Sequence, residues 1–143
     1  MKLRDIMTRE VEFLAPDDTV QTAAQKMRLR DIGFLPVLDD GELIGVLTDR
    51  DLILRVMAYG TAPDTLIGPD IITAPGVYCF DDQEVDSALQ LMQMHQIRRL
   101  VVLDRNNGEV IGVISLGDLA ANTPSDTSGK VLQEISSAFV KAS

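Results

Sequence analysis

The strongest constraint on this chain is that it carries the same motifs twice, in the same order and at nearly the same spacing. Asp5-Ile6-Met7-Thr8 returns as Asp70-Ile71-Ile72-Thr73, and Gly45-Val46-Leu47-Thr48-Asp49-Arg50-Asp51 returns as Gly112-Val113-Ile114-Ser115-Leu116-Gly117-Asp118. Residues 5, 32 and 39 map onto 70, 97 and 104, 65 apart, whereas 41 and 51 map onto 108 and 118, 67 apart. Two residues have therefore been added within Asp104-Arg105-Asn106-Asn107-Gly108, where the first copy has Asp39-Asp40-Gly41. Both runs are rich in turn residues, so only a hairpin tip is expected to lengthen. A period longer than ~50 residues, present twice only, predicts a paired pseudo-symmetric domain rather than a solenoid.

Each copy reads as a β-α-β-β-α unit of mixed α/β (α+β) class. Asp18 and Thr19 are positioned to cap a helix whose apolar stripe is Val20, Ala23, Ala24 and Met27, and the second copy repeats it with Val85, Ala88, Leu89 and Met92. Phe34 to Leu38 and Leu43 to Leu47 form an expected hairpin, repeated by Leu100 to Leu103 and Val110 to Ile114. Their near-continuous apolar runs imply strands covered on both faces. A short strand precedes each first helix, near Val11 to Leu14 and Val77 to Phe80, and a final helix runs from about Asp49 to Ala58, ending earlier in copy two. The expected division is residues 1–62, 63–124 and a tail, 125–143, in which Val131, Leu132, Ile135, Phe139 and Val140 make a C-terminal amphipathic helix.

With 143 residues the chain can bury roughly 70% of its unfolded surface, enough for one compact body in which each half helps complete the other. A net charge of -9, from 13 Lys and Arg against 22 Asp and Glu, opposes binding of nucleic acid through the overall field. It leaves room for a single phosphate group held by local arginines and backbone amides. The start, Met1-Lys2-Leu3-Arg4-Asp5, has no apolar leader or membrane span, so a cytoplasmic protein away from membranes is expected. Cys79 stands alone in the apolar run Val77-Tyr78-Cys79-Phe80 and reads as an inert buried thiol.

The most specific chemical signal is the glycine, two apolar residues, a hydroxyl residue and, three positions later, an aspartate. The strand ends and a helix starts at Thr48 or Ser115, where unpaired amides and the helix dipole favour an anion. One turn in, Asp51 or Asp118 can turn its carboxylate to the same mouth and accept from two ribose hydroxyls. The plain alternative is a capping box, with the hydroxyl at N-cap and the acid at N3. Duplication copies caps as faithfully as sites, so the repeat does not choose between them.

These motifs, with Ile32-Gly33-Phe34-Leu35-Pro36-Val37 and its counterpart Ile97-Arg98-Arg99-Leu100-Val101-Val102, resemble the cystathionine β-synthase (CBS) domain family, which occurs as tandem pairs called Bateman modules. The resemblance covers about residues 3 to 121. It implies two repeats packed through their sheets, with clefts for adenosine compounds: AMP, ADP or ATP first, NAD or S-adenosylmethionine after them. It implies ribose-binding acids at Asp51 and Asp118, neighbouring hydroxyls at Thr48 and Ser115, lead-in hydroxyls at Thr8 and Thr73, and phosphate-binding cations at Arg98 and Arg99. Gly33, Phe34, Pro36, Arg50, Val77 and Leu100 complete the candidate ligand-binding set. A homodimer and an unidentified protein partner are implied as well, with no required cofactor.

The copies differ where phosphate would lie. Gly33 and Phe34 stand opposite Arg98 and Arg99, Arg50 opposite Gly117, and Pro36 opposite Val101, so the two clefts need not be equivalent. Elsewhere the residues read as structural. His95, the single histidine, lacks a ligand partner at metal-binding spacing, and Met27, Met57, Met92 and Met94 fall on or beside apolar helical stripes. Asp17-Asp18, Asp39-Asp40 and Asp81-Asp82 sit where caps and turns are needed. No nucleophile has a base beside it, so no enzyme is expected.

Overall fold

A computed structural model describes residues 1–122 and Gly129. The expected tail helix over residues 131–140 lies outside them. The described elements are α1 (Val20–Arg30), β1 (Phe34–Asp39), β2 (Glu42–Thr48), α2 (Asp49–Arg55), β3 (Tyr78–Phe80), α3 (Val85–His95), β4 (Arg99–Leu103), β5 (Val110–Ser115) and α4 (Leu116–Ala120). Single 3-10 turns occupy Leu3–Asp5 and Met57–Tyr59. Among the described residues no helix is long and apolar enough to cross a membrane.

The compact units do not follow the repeats of the sequence. One unit is Val11–Val77, and the other joins Met1–Glu10 to the chain from Tyr78 on. Each repeat's lead-in segment is thus built into the other repeat's unit.

In the first-repeat unit, residues 11–77, β1 and β2 form an antiparallel hairpin. Its tip is the two-residue turn Asp40-Gly41, both at positive φ, the geometry that matches strand twist. Leu14 adds one parallel bridge to Val37, and Thr73 adds one antiparallel bridge to Val46, so each edge of the hairpin gains a partner. The strand expected from Val11 to Leu14 is therefore reduced to Leu14, because only its amide and carbonyl reach β1, at Pro36 and Leu38. Beneath the sheet lie Leu14, Val20, Ala23, Met27, Leu35, Val37, Leu47, Val56, Ile67, Ile71 and Ile72. Ala24 is exposed, a correction to the expected stripe: Val20, Ala23 and Met27 alone face inward. The helix expected to Ala58 ends at Arg55 and tightens into the 3-10 turn.

In the second-repeat unit, β3 pairs parallel to β4 and β4 antiparallel to β5, while Thr8 bridges the free edge of β5 at Val113. All four expected residues of α3 are buried, Leu89 included. Coverage of the strands is uneven. Leu100 to Leu103 on β4 are buried throughout, whereas β2 and β5 alternate between buried and half-buried. Both hairpins carry a bulge at the same place, after Val37 and after Val102. The two added residues extend the second tip, where side-chain turns at Asp104 and Asn107 receive the amides of Asn106 and Glu109.

The first glycine of the duplicated motif has a packing reason. A Cβ at Gly45 would lie 2.6 Å from the Thr73 carbonyl oxygen, and one at Gly112 would lie 2.6 Å from Met7 Sδ and 3.0 Å from the Thr8 carbonyl oxygen. Glycine lets the lead-in backbone reach the sheet edge. Gly45→Ala is expected to destabilise by about 1–3 kcal/mol in urea unfolding, and by more than Gly112→Ala, because a backbone carbonyl cannot turn aside as the flexible Met7 side chain can.

Candidate functional site

The strand-to-helix junctions adopt the same reciprocal cap in both units. Thr48 Oγ1 accepts from the Asp51 amide at 3.1 Å, and the Thr48 amide donates to Asp51 Oδ2 at 3.0 Å. Ser115 Oγ accepts from the Asp118 amide at 3.0 Å, and the Ser115 amide donates to Asp118 Oδ2 at 2.9 Å. The capping-box alternative is thus realised at both acids. It uses one carboxylate oxygen of each, which leaves Oδ1 for something else.

What meets Oδ1 differs between the units. At Asp51, the Thr73 hydroxyl lies 3.3 Å from both carboxylate oxygens and Arg55 Nε lies 3.7 Å from Oδ1. Asp51 is only 7% exposed, the single buried charged residue among those described. Asp118 is half-buried, and its Oδ1 has no hydrogen-bond partner among the described residues.

The amides of the first turn differ too. In α2, the Asp49 amide donates to the Gly33 carbonyl at 3.0 Å and the Arg50 amide to Asp49 Oδ1 at 2.8 Å. The Asp49 carboxylate folds over Gly33 so closely that a Cβ there would lie 2.5 Å from Oδ2. In α4, the Leu116 amide donates to the Arg98 carbonyl at 2.8 Å, but the exposed Gly117 amide meets no acceptor among the described residues. Leu116 replaces the acid, so no carboxylate competes for that amide.

The remaining candidates divide by unit. Phe34 is paired in register with Thr48, and Arg99 with Ser115, so each flanks its own cap. Pro36 and Leu100 are buried in the strands, and Val77 is half-buried at the end of the first-repeat unit. The exposed side chain of Arg50 leaves the helix start beside Asp49. Thr73 accompanies Thr48 and Asp51, whereas Thr8 accompanies Ser115, Asp118, Arg98 and Arg99. Two residues were missed from the sequence, Asp49 and Arg55. Arg55, one helical turn beyond Asp51, also donates to the carbonyls of Ile72 at 2.8 Å and Ile71 at 3.4 Å. The i,i+4 spacing to Asp51 was its visible signal.

The acid pairs away from this junction hold turns. Asp18 Oδ2 receives the Ala15 amide, and Gln83 Oε1 receives that of Phe80 at the matching place in the second copy. Arg105 forks onto Asp82, hydrogen-bonding it and holding its carboxyl below the usual range, and lies 3.9 Å over the Phe80 ring. Cys79 is buried, its Sγ 3.7 Å from the Val101 carbonyl oxygen, and desolvation pushes its thiol up to about 12. A thiol so placed is no nucleophile at neutral pH. Among the described residues no group of His, Cys, Asp or Glu gathers to hold a metal ion.

The family model of the CBS domain matches this chain twice, over residues 3–58 and 67–123. The CBS domain-containing protein YhcV of Bacillus subtilis is 39% identical over 135 residues, 94% of each protein. Among solved structures, Hypoxic Response Protein I with two coordinated zinc ions is similar with a TM-score of 0.76 at 32% identity, covering 87% of this chain and 100% of that one. CBSX2 in complex with AMP is similar with a TM-score of 0.69 at 26% identity, covering 85% and 94%.

Two consequences of the buried thiol are measurable. Iodoacetamide at about pH 8.5, where a free thiol is half ionised, is expected to leave folded Cys79 unmodified and to alkylate it in urea. Because the folded protein holds the proton more tightly, the stability this provides is present below the ordinary value of 9.0 and is lost as pH rises toward about 12. Urea midpoints should fall over that interval, and Cys79→Ser should flatten the fall.

Proposed function

Because this chain belongs to the CBS domain family, we propose that it is a non-catalytic regulatory module that takes an adenosine-containing nucleotide at the strand-to-helix junctions of its repeats. The observation that carries this reading is at Asp118. A half-buried carboxylate with an open oxygen, an exposed Gly117 amide without an acceptor among the described residues, and Arg99 in register with Ser115 stand at one helix start. The carboxylate suits the ribose diol, and the amide and guanidinium suit a phosphate. AMP, ADP and ATP therefore lead the candidates, followed by NAD and S-adenosylmethionine. The complex of CBSX2 with AMP supports the same class of ligand.

Binding acts through a partner protein or through self-association, since a ligand moves a conformational equilibrium only by its differential affinity for the two states. Self-association as a homodimer through the helices is supported by the apolar side chains that α2 and the turn after it expose: Ile53 at 58%, Met57 at 75% and Tyr59 at 81%. Light scattering on the eluting peak of a sizing column should give twice the chain mass, and Ile53→Glu should return it to a monomer.

One observation favours a second reading, a ligand-free interaction module: the reciprocal caps already give both acids a structural task. Thermal melting with AMP, ADP, ATP, NAD and S-adenosylmethionine separates the two. A ligand at 100 times its dissociation constant should stabilise by about 2.7 kcal/mol, a rise of several degrees. No shift across that panel would favour the second reading. A shift that survives both Asp51→Ala and Asp118→Ala would move the ligand away from these acids.

A further inference from the structure

We infer that Asp51 has become a clasp rather than a ligand-binding acid, so that the chain takes one nucleotide, at Asp118, and not two. The inference rests on the nucleotide reading above for the Asp118 half. The Asp51 half stands on a side-chain cluster of its own.

Three contacts close Asp51. Its carboxylate is buried, receives the Thr48 amide and the Thr73 hydroxyl, and has the Arg55 guanidinium beside Oδ1. Arg55 then reaches on to the carbonyls of Ile71 and Ile72, and Thr73 is held to Val46 by two backbone hydrogen bonds of 2.8 and 2.9 Å. Residues 71–73, the lead-in to the second repeat, are thereby fastened to the first-repeat unit by one acid, one cation and one hydroxyl. A ribose diol at Asp51 must first remove the Thr73 hydroxyl and then share a carboxylate already facing a guanidinium, all in a buried setting where lost polar contacts are costly.

The surroundings oppose a phosphate as well. Asp49 caps the Arg50 amide with its own carboxylate and covers Gly33, which places a negative charge where a phosphate oxygen would otherwise go. Nothing comparable meets Asp118. Position 116 is leucine, Arg99 replaces Phe34, and Arg55 maps onto Asn122, whose amide donates to the Asp118 carbonyl of its own helix. The divergence is therefore concerted: cation and open amide on one side, acid and filled carboxylate on the other.

Calorimetric titration of the full chain with AMP and with ATP, beside melting of the ligand-free protein, tests this. One nucleotide per chain is expected, with Asp118→Asn weakening it at least tenfold. Arg55→Met should lower the ligand-free melting midpoint by several degrees and leave nucleotide affinity within twofold. Two nucleotides per chain would overturn the inference, and so would affinity lost in Asp51→Asn but kept in Asp118→Asn. An unchanged midpoint in Arg55→Met would overturn the clasp on its own. If the unmodified chain binds neither nucleotide while Arg55→Met still melts early, the nucleotide reading fails and the clasp is upheld.

Discussion

Everything at the candidate sites depends on a backbone contact between sheet edge and lead-in segment. Thr73 lies along Val46 and Thr8 along Val113, each exchanging both of its hydrogen bonds, over a glycine that leaves no room for a Cβ. The contact satisfies an edge that would otherwise present unpaired amides and carbonyls. It also delivers a hydroxyl residue to each unit that holds a conserved-in-duplicate cap and acid. The glycine, the strand end, the cap and the acid thus form one continuous device, with backbone pairing at its start and a carboxylate at its finish.

That device explains how the same seven-residue motif can serve packing and binding without contradiction. The reciprocal cap fixes the carboxylate's position through one oxygen, and the second oxygen is then presented in a defined place. What is done with it is decided by neighbours outside the motif. Where Thr73 and Arg55 reach in, the acid is absorbed into the structure; where they have no equivalent contact, it stands half-buried at a cationic rim. Two identical local geometries therefore acquire different chemistry from residues that lie as far as 22 positions away in sequence.

Much of this was legible in the sequence because it was periodic or duplicated. The hairpins, their unequal tips, the caps at Thr48 and Ser115, and the inward faces of α3 all follow from local pattern. Ala24 was misread because alanine fits either side of a helix, and only in the second copy, with Leu89, is the position large enough to demand burial. The strand near Leu14 shrank because two backbone bonds to β1 suffice there. The exchange of lead-in segments left no local trace, since a repeat boundary in sequence carries no information about which edge a strand will join. Asp49 escaped notice for a related reason: its meaning depends on Gly33, a residue of another strand whose missing side chain makes the room.

The exchange bears on how such a chain could have arisen and how it can be divided. A lone repeat of this design would carry its own lead-in yet leave its sheet edge waiting for one, and it could be completed by a second copy offering the same segment in return. Fusion of two such copies would turn a reciprocal trade between molecules into an internal one. The natural seams of this protein are consequently after Glu10 and after Val77, not at the midpoint between the repeats. Cutting at the midpoint would separate each sheet from the strand that seals it.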